Sequence, residues 1–266
     1  MIVTGGSGGI GRGLVLAFAA EGANVALASR DRAQSQRVAE AAQELAGAVE
    51  VIPTDVTDPA AVAALVERTE ARFGAIDVLV NNAGGVAYPR PTLEKPQAEL
   101  AWELDLNVWG VVHTTRAVGA GMVARGRGSI VNITSNSALA GEAAQQVAHY
   151  GGTKGYVMSF SKALAYEWGP HGVRINCVSP GWIVPWQSDH VGAGSFWRKY
   201  GYDFFGTPEA MAEQAASGTL PSVGNQPLRR IGRPEDVAWA ALFLASERAA
   251  HVTGQLISVS GGAWMP

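Results

Sequence analysis

The chain has 266 residues, 47% of them hydrophobic and 16% charged, and 20 Lys and Arg against 23 Asp and Glu give a formal net charge of −3. That apolar content suits one large domain, and the interspersed charges form no basic stripe or polybasic patch, so nucleic acid and a membrane surface are excluded as partners and a small neutral or weakly charged ligand is expected. The single cysteine, Cys177, permits no internal disulfide, no Cys/His cluster has metal-ligand spacing, and no apolar run has the length of a signal peptide or membrane span, so a soluble, cytoplasmic protein without a metal site is expected.

Short β-branched runs alternate with alanine-rich stretches of helical period, the pattern of an α/β domain in which helices cover both faces of a parallel sheet. In chain order the reading is strand 2–3, helix 11–21, strand 25–28, helix 33–45, strand 49–53, helix 59–73, strand 78–81, helix 99–124, strand 129–133, helix 150–168, strand 174–178, helix 234–246 and strand 255–258. The outcome is a single domain over 1–266 with a seven-stranded sheet. The first strand is a stub, since only Met1 to Val3 precede Thr4, so either the chain start lies farther upstream or this edge of the sheet is weakly built. The last helix has a clear start, because Pro234 suits a first helical turn and Glu235 and Asp236 complement its positive end. The rhythm breaks at about 186–226, where glycines, prolines and the seven aromatics Trp186, Phe196, Trp197, Tyr200, Tyr202, Phe204 and Phe205 read as an elaborated substrate loop.

Thr4-Gly5-Gly6-Ser7-Gly8-Gly9-Ile10-Gly11 follows the first strand and opens the first helix. In that context glycines allow a tight turn and a close backbone approach to a pyrophosphate, whose charge meets the N–H groups of the helix start. Gly5, Ser7, Gly9, Ile10 and Gly11 are the expected contacts, in a Rossmann-like doubly wound fold. At the end of the second strand, Ser29 stands where an acidic residue would bind adenosine ribose hydroxyls, and Arg30 follows with a fork suited to phosphate. NADP(H) is therefore the expected cofactor, with NAD possible. Asp31 is the alternative partner for Arg30 or Arg32, as an ordinary surface charge pair.

Tyr150 and Lys154 stand four residues apart, so one helix face presents a phenol and an ammonium. A nearby cation favours the phenolate, and a tyrosine brought below its ordinary pKa of about 10 exchanges a proton with a substrate oxygen. His149 points about 100° away on such a helix and reads as a packing or solvent-facing residue. Cys177 reads as buried in a strand.

Taken in order, Thr4 to Gly11, Asp55-Val56, Asn81-Asn82-Ala83-Gly84, Asn107, the strand ending in Ser135, Tyr150-x-x-x-Lys154, Pro180-Gly181 and Arg233 to Ala238 resemble the short-chain dehydrogenase/reductase family over essentially the full chain. The resemblance implies that Asp55 and Val56 contact adenine, that the Asn81 to Gly84 turn, with Asn82, Ala83 and Gly84, supports the sheet and the cofactor ribose, and that Pro180, Gly181 and Ile183 border the nicotinamide. It further implies Tyr150 as acid/base, Lys154 on the nicotinamide ribose and lowering the tyrosine pKa, a serine on the reacting oxygen, and Asn107 holding a water that links Lys154 to solvent. A homotetramer or homodimer is implied as well.

Three departures from the family pattern accompany the stub. The usual serine-to-tyrosine spacing, counted back from Tyr150, falls on Ser137, whereas the strand motif Val131 to Ser135 points to Ser135, the preferred choice because a strand end is a fixed point and the following loop absorbs extra residues. Pro185 stands where a hydroxyl residue commonly meets the nicotinamide amide. The aromatic loop, with Trp182 and Trp186 beside Ser135, Ser137 and Tyr150, suggests a hydrophobic lid over a cyclic or aryl secondary alcohol and its ketone. Two other readings remain: an NAD-dependent 3-hydroxyacyl-thioester dehydrogenase, with Arg198, Lys199, Arg229 and Arg230 at the pocket mouth, and a non-catalytic dinucleotide-binding sensor.

Overall fold

The structure is a computed structural model that describes residues 1–141, 146–192, 194–195, 198, 206–220 and 226–265. Of the predicted aromatic loop, Phe196, Trp197, Tyr200, Tyr202, Phe204 and Phe205 lie outside these residues, as does Lys199.

Seven strands form one parallel sheet: β1 (Ile2–Thr4), β2 (Val25–Ser29), β3 (Val49–Pro53), β4 (Val78–Asn81), β5 (Gly128–Ile133), β6 (Val173–Pro180) and β7 (Leu256–Val259), in the order β3-β2-β1-β4-β5-β6-β7. The short β1 is central, a correction to the expected weak edge. Ile2 and Val3 pair with Ala26 and Leu27 on one side and with Leu79 and Val80 on the other. Three residues suffice there because both neighbours complete the hydrogen-bond ladder.

Alternation along the strands sends successive residues to opposite faces. On one face Val3, Leu27, Val80 and Val131 pack with Leu14, Val15 and Phe18 of α1 (Gly9–Ala20) and with Val237, Ala241 and Leu244 of α8 (Pro234–Ala245). On the other, Ile2, Ala26, Leu79, Ile130 and Ile175 pack with Leu65 of α3 (Pro59–Phe73), Val118 and Met122 of α5 (Gly110–Arg125) and Leu164 of α6 (Ala148–Trp168). Two further helices are α2 (Arg32–Ala41), capped by the Asp31 side chain on the Gln34 amide, and α4 (Gln97–Leu104).

Two predicted segments differ. The helix expected at 99–124 is broken by a π turn over Asp105–Trp109, where the Gly110 amide donates to the Asp105 carbonyl, one residue beyond the α-helical partner. Gly110 lies there against Val56, where a Cβ would come within 2.7 Å of the valine side chain. Within 186–226, α7 (Pro208–Ala216) interrupts the expected loop, with Thr207 capping the Ala210 amide and Pro208 in its first turn. Its Met211 joins Val184, Leu220 and Ile231 in a small satellite core against which Trp182 packs.

Among the described residues no helix is long and apolar enough to cross a membrane. In doubly wound sheets the ligand crevice opens where the strand order reverses, here between the C-terminal ends of β1 and β4.

Candidate active site

The glycine turn leaves β1 with Gly5 at φ +65°, and Gly11 of α1 approaches the Gly5 carbonyl so closely that a Cβ would clash with it. Gly8 caps α1 without a side-chain hydrogen bond, so the first-turn amides around Gly9, Ile10 and Gly11 are not satisfied by a capping side chain. Such an end accommodates phosphate. From β4, Asn82 closes the crevice floor: its side chain donates to the Thr4 and Gly5 carbonyls at 3.0 and 3.1 Å, while the Asn82 and Ala83 amides donate to the Thr4 hydroxyl, each at 3.0 Å. Beneath it, Asn81 bonds Thr115 at 2.9 Å and Asn132 at 2.8 Å, tying β4 to β5 and α5.

At the end of β2 the Ser29 hydroxyl donates to that of Ser7 at 2.8 Å. Arg30 is more than half exposed and reaches Asp55 at 3.7 Å, while Asp31 caps α2 rather than pairing with it. Burial pushes the Asp55 carboxyl up, but hydrogen bonds from the Thr57 amide and hydroxyl and the charge of Arg30 hold it below the usual range. Val56 is buried, with His113 Nδ1 at 3.2 Å from its carbonyl oxygen.

The reactive groups converge from α6, β5, the π turn and the β4 loop. Lys154 is buried, donates to the Ile133 carbonyl at 3.0 Å, and lies 5.9 Å from the centroid of the Tyr150 ring. Gly84 faces it so closely that a Cβ would sit 2.9 Å from Lys154 Nζ and 3.0 Å from Asn107 Oδ1. Asn107 is fixed by exchanging two 2.8 Å hydrogen bonds with the Gly85 backbone and by donating to Thr153 at 3.2 Å. Ser135 accepts from the Ser137 amide at 3.2 Å, which turns Ser137 into the short helix after β5.

Burial lowers the Lys154 pKa to about 8 from 10.5. Burial pushes the Tyr150 phenol up, hydrogen bonding from Ser135 opposes that rise, and the charge of Glu103 adds to it. The phenol of this chain on its own is therefore held in its acid form, a correction to the expected depression by Lys154.

Pro180 ends β6, and the Gly181 amide donates to the Val259 carbonyl at 2.9 Å. Ile183 forms a parallel bridge with Gly232 through the Trp182 carbonyl and the Val184 amide. That pairing leaves the peptide groups of Ile183 itself on the opposite edge, where Pro185 supplies no hydroxyl. Trp186 is half exposed and its partners stand at the start of α8: its indole donates to Glu235 at 3.1 Å, and Arg233 lies 3.9 Å over its ring. The structure thus joins Ser135, Tyr150, Lys154, Asn107 and Gly84, and ties Trp182 and Trp186 to the satellite core and to α8. Two contributors escaped the sequence reading. Thr153 is legible only once Asn107 faces α6, and Glu103, which pairs with His149 at 2.7 Å, carries no motif.

A parallel doubly wound sheet with a glycine turn, an Asn81 to Gly84 floor and a buried Lys154 beside the partly buried Tyr150 at its switch point defines a dinucleotide-dependent oxidoreductase class. The chain belongs to the short-chain dehydrogenase family, whose model, described as short chain dehydrogenase, matches residues 1–189. A second model, described as enoyl-(acyl carrier protein) reductase, matches residues 206–263. The chain is 38% identical to L-fucose dehydrogenase of Bos taurus over 99% of this chain and 88% of that protein. It is 34% identical to the 3-oxoacyl-(acyl-carrier-protein) reductase of Chlamydia muridarum over 98% and 95% of the two chains. A short-chain type dehydrogenase/reductase from Mycobacterium marinum superposes with a TM-score of 0.83 at 34% identity, covering 100% of this chain and 95% of that one.

Proposed function

We propose that the protein is an NADP(H)-dependent oxidoreductase that interconverts a secondary alcohol and its ketone at a site built from Ser135, Tyr150, Lys154 and Asn107. The observation that carries this reading is the buried Lys154, 5.9 Å from the Tyr150 ring and facing Gly84 at the sheet's switch point. The uncapped α1 start fits a pyrophosphate, and the Gly84 approach fits a ribose beside Lys154. Gly5, Ser7, Gly9, Ile10 and Gly11 would hold the phosphates, Asp55 and Val56 the adenine, Asn82, Ala83 and Gly84 the ribose side, and Pro180, Gly181 and Ile183 the nicotinamide. The cofactor supplies or accepts the hydride.

The protein's part is proton transfer and orientation. In reduction, the Tyr150 phenol gives its proton to the forming alkoxide while the Ser135 hydroxyl holds that oxygen; in oxidation, the tyrosine removes the alcohol proton. Lys154 would hold the nicotinamide ribose, and Asn107 would keep a water between Lys154 and solvent. The pairing of Ser7 with Ser29 and the exposed Arg30 support a 2′-phosphate, which needs hydroxyl and guanidinium donors. Arg30→Ala is expected to raise the KM for NADPH about tenfold, the loss of one charge-assisted contact, and to leave that for NADH unchanged. Equal efficiency of the wild type with both nucleotides would remove the NADP(H) assignment.

For substrate, Trp182, Trp186 and the aromatic-rich sequence beyond them favour a bulky cyclic or aryl alcohol. A sugar or polyol is the second reading, favoured by the similarity to L-fucose dehydrogenase. A 3-hydroxyacyl thioester is less favoured, because Arg230 is committed to Asp236 in two bonds of 2.7 and 2.8 Å. A silent sensor has no need of the Tyr150/Lys154 pair. We place the enzyme in the cytoplasm as a homotetramer or homodimer, consistent with the exposed Trp109, Tyr156, Trp239 and Phe243.

A further inference from the structure

Lys95, Glu103 and His149 belong to none of the motifs above, yet they form a buried charged cluster beside the Tyr150 helix. Glu103 of α4 is fully buried; its Oε1 accepts from Lys95 Nζ at 2.7 Å and from the Ala87 amide at 2.8 Å, and its Oε2 meets His149 Nδ1 at 2.7 Å. The Lys95 side chain is 2% exposed and that of His149 25%. A carboxylate taken this far from water persists only when its lone pairs are met. Three elements are therefore clamped together: the segment after β4, through Ala87 and Lys95; α4, through Glu103; and the first turn of α6, through His149. A second tie joins the same segment to the residues just before α6, since the Arg90 amide donates to the Gln146 carbonyl at 3.0 Å. Because His149 immediately precedes Tyr150, the clamp sets where the helix carrying the phenol begins.

We propose that Lys95, Glu103 and His149 are positioning residues for the reaction at Tyr150, holding its helix against the segment that follows β4 and acting on the phenol through the cluster's net charge. This inference rests on Tyr150 being the acid/base. The charges of Lys95 and Glu103 oppose one another across 2.7 Å. Removing Glu103 leaves an unbalanced cation near the phenol, and removing Lys95 leaves an unbalanced anion. The charge of Glu103 already acts to raise the phenol pKa. The other charged or titratable groups on the elements packed here are Lys154 one turn along α6, Cys177 of β6 beside it, and the Arg90–Glu99 pair at 3.3 Å. All of these are common to every variant compared.

The test is the pH profile of kcat/KM for ketone reduction in Glu103→Gln, Lys95→Met and the double variant. The limb due to Tyr150 is expected to move down by roughly half to one pH unit in Glu103→Gln, up by a similar amount in Lys95→Met, and back to its wild-type position in the double variant. Loss of the clamp is expected to lower kcat about tenfold in the double variant, with the KM for the cofactor unchanged, because the misplaced group is the phenol rather than the nucleotide cradle. A purely structural cluster would move both single variants the same way, or neither, and either result overturns the proposal. Should the single variants fail to fold, the double variant decides: wild-type kcat overturns the proposal, and a tenfold loss at unchanged cofactor KM supports it. Tyr150→Phe separates the two readings. If it retains turnover, the acid/base assignment fails; if it is inactive while the limbs stay fixed, only the clamp fails.

Discussion

Lys154 carries a conflict between stability and function. The folded protein holds its ammonium in a buried site with the pKa lowered to about 8 from 10.5, so the charged form is disfavoured by folding. Between those two values the unfolded chain keeps a proton that the folded chain has released, so this group makes stability rise with pH across that window. Lys154→Met is therefore expected to melt higher near neutral pH, by on the order of 2–3 kcal/mol in stability, and to lose about 10²–10⁴-fold in ketone reduction. Paired calorimetric melts and turnover assays check both signs. At this scale the motif residues were legible, because Tyr-x-x-x-Lys and the glycine turn require particular side chains at fixed spacing. The serine is read as Ser135 from the strand-end motif alone, while the usual spacing from the tyrosine points to Ser137. Ser135 has the phenol as a hydrogen-bonding neighbour, so Ser135→Ala is expected to abolish most turnover and Ser137→Ala to spare it, read by kcat under saturating ketone. Glu103 was invisible, because nothing in Trp102-Glu103-Leu104 announces that its partners are brought from Lys95 and His149.

Elements whose ends are set by local chemistry were read closely. The helix at Pro59–Phe73 and the strands at Val49–Pro53 and Val78–Asn81 match their predicted bounds, since Asp58 and Pro59 begin the helix and β-branched residues define the strands. The π turn escaped, because it inserts one residue into a continuous helical pattern without changing the side-chain types. Its consequence is positional: Asn107 lies at its centre and reaches both Gly85 and Thr153. Helix α7 had a legible start in Thr207-Pro208-Glu209, but the surrounding glycines and aromatics drowned the signal. The glycine turn is the element most exposed to a single methyl group. Gly11→Ala would press a Cβ on the Gly5 carbonyl, which is backbone and cannot swing aside. It is expected to cost about 1–3 kcal/mol of stability and to weaken NADPH binding, with the melt and a cofactor fluorescence titration as readouts. Unchanged affinity in that variant would mean that the turn does not hold the phosphates.

For the whole molecule, strand and helix alternation foretold a parallel sheet, while the order β3-β2-β1-β4-β5-β6-β7 and the central place of the three-residue β1 emerged only from the assembled sheet. That order brings the ends of β1 and β4 side by side and so creates the crevice where Thr4, Asn82 and Gly84 meet. Residues distant in the chain thereby meet in one crevice. The most direct measurement of the account is the loss of reduced-nicotinamide absorbance with NADPH and a panel of cyclic ketones, aryl ketones, keto-sugars and 3-oxoacyl thioesters, run on the wild type and on Tyr150→Phe. The wild type is expected to reduce at least one of these ketone classes, and Tyr150→Phe to be slower by at least about 10²-fold while still binding NADPH. Wild-type turnover in Tyr150→Phe, or a wild type that binds NADPH and reduces none of them, would contradict the account.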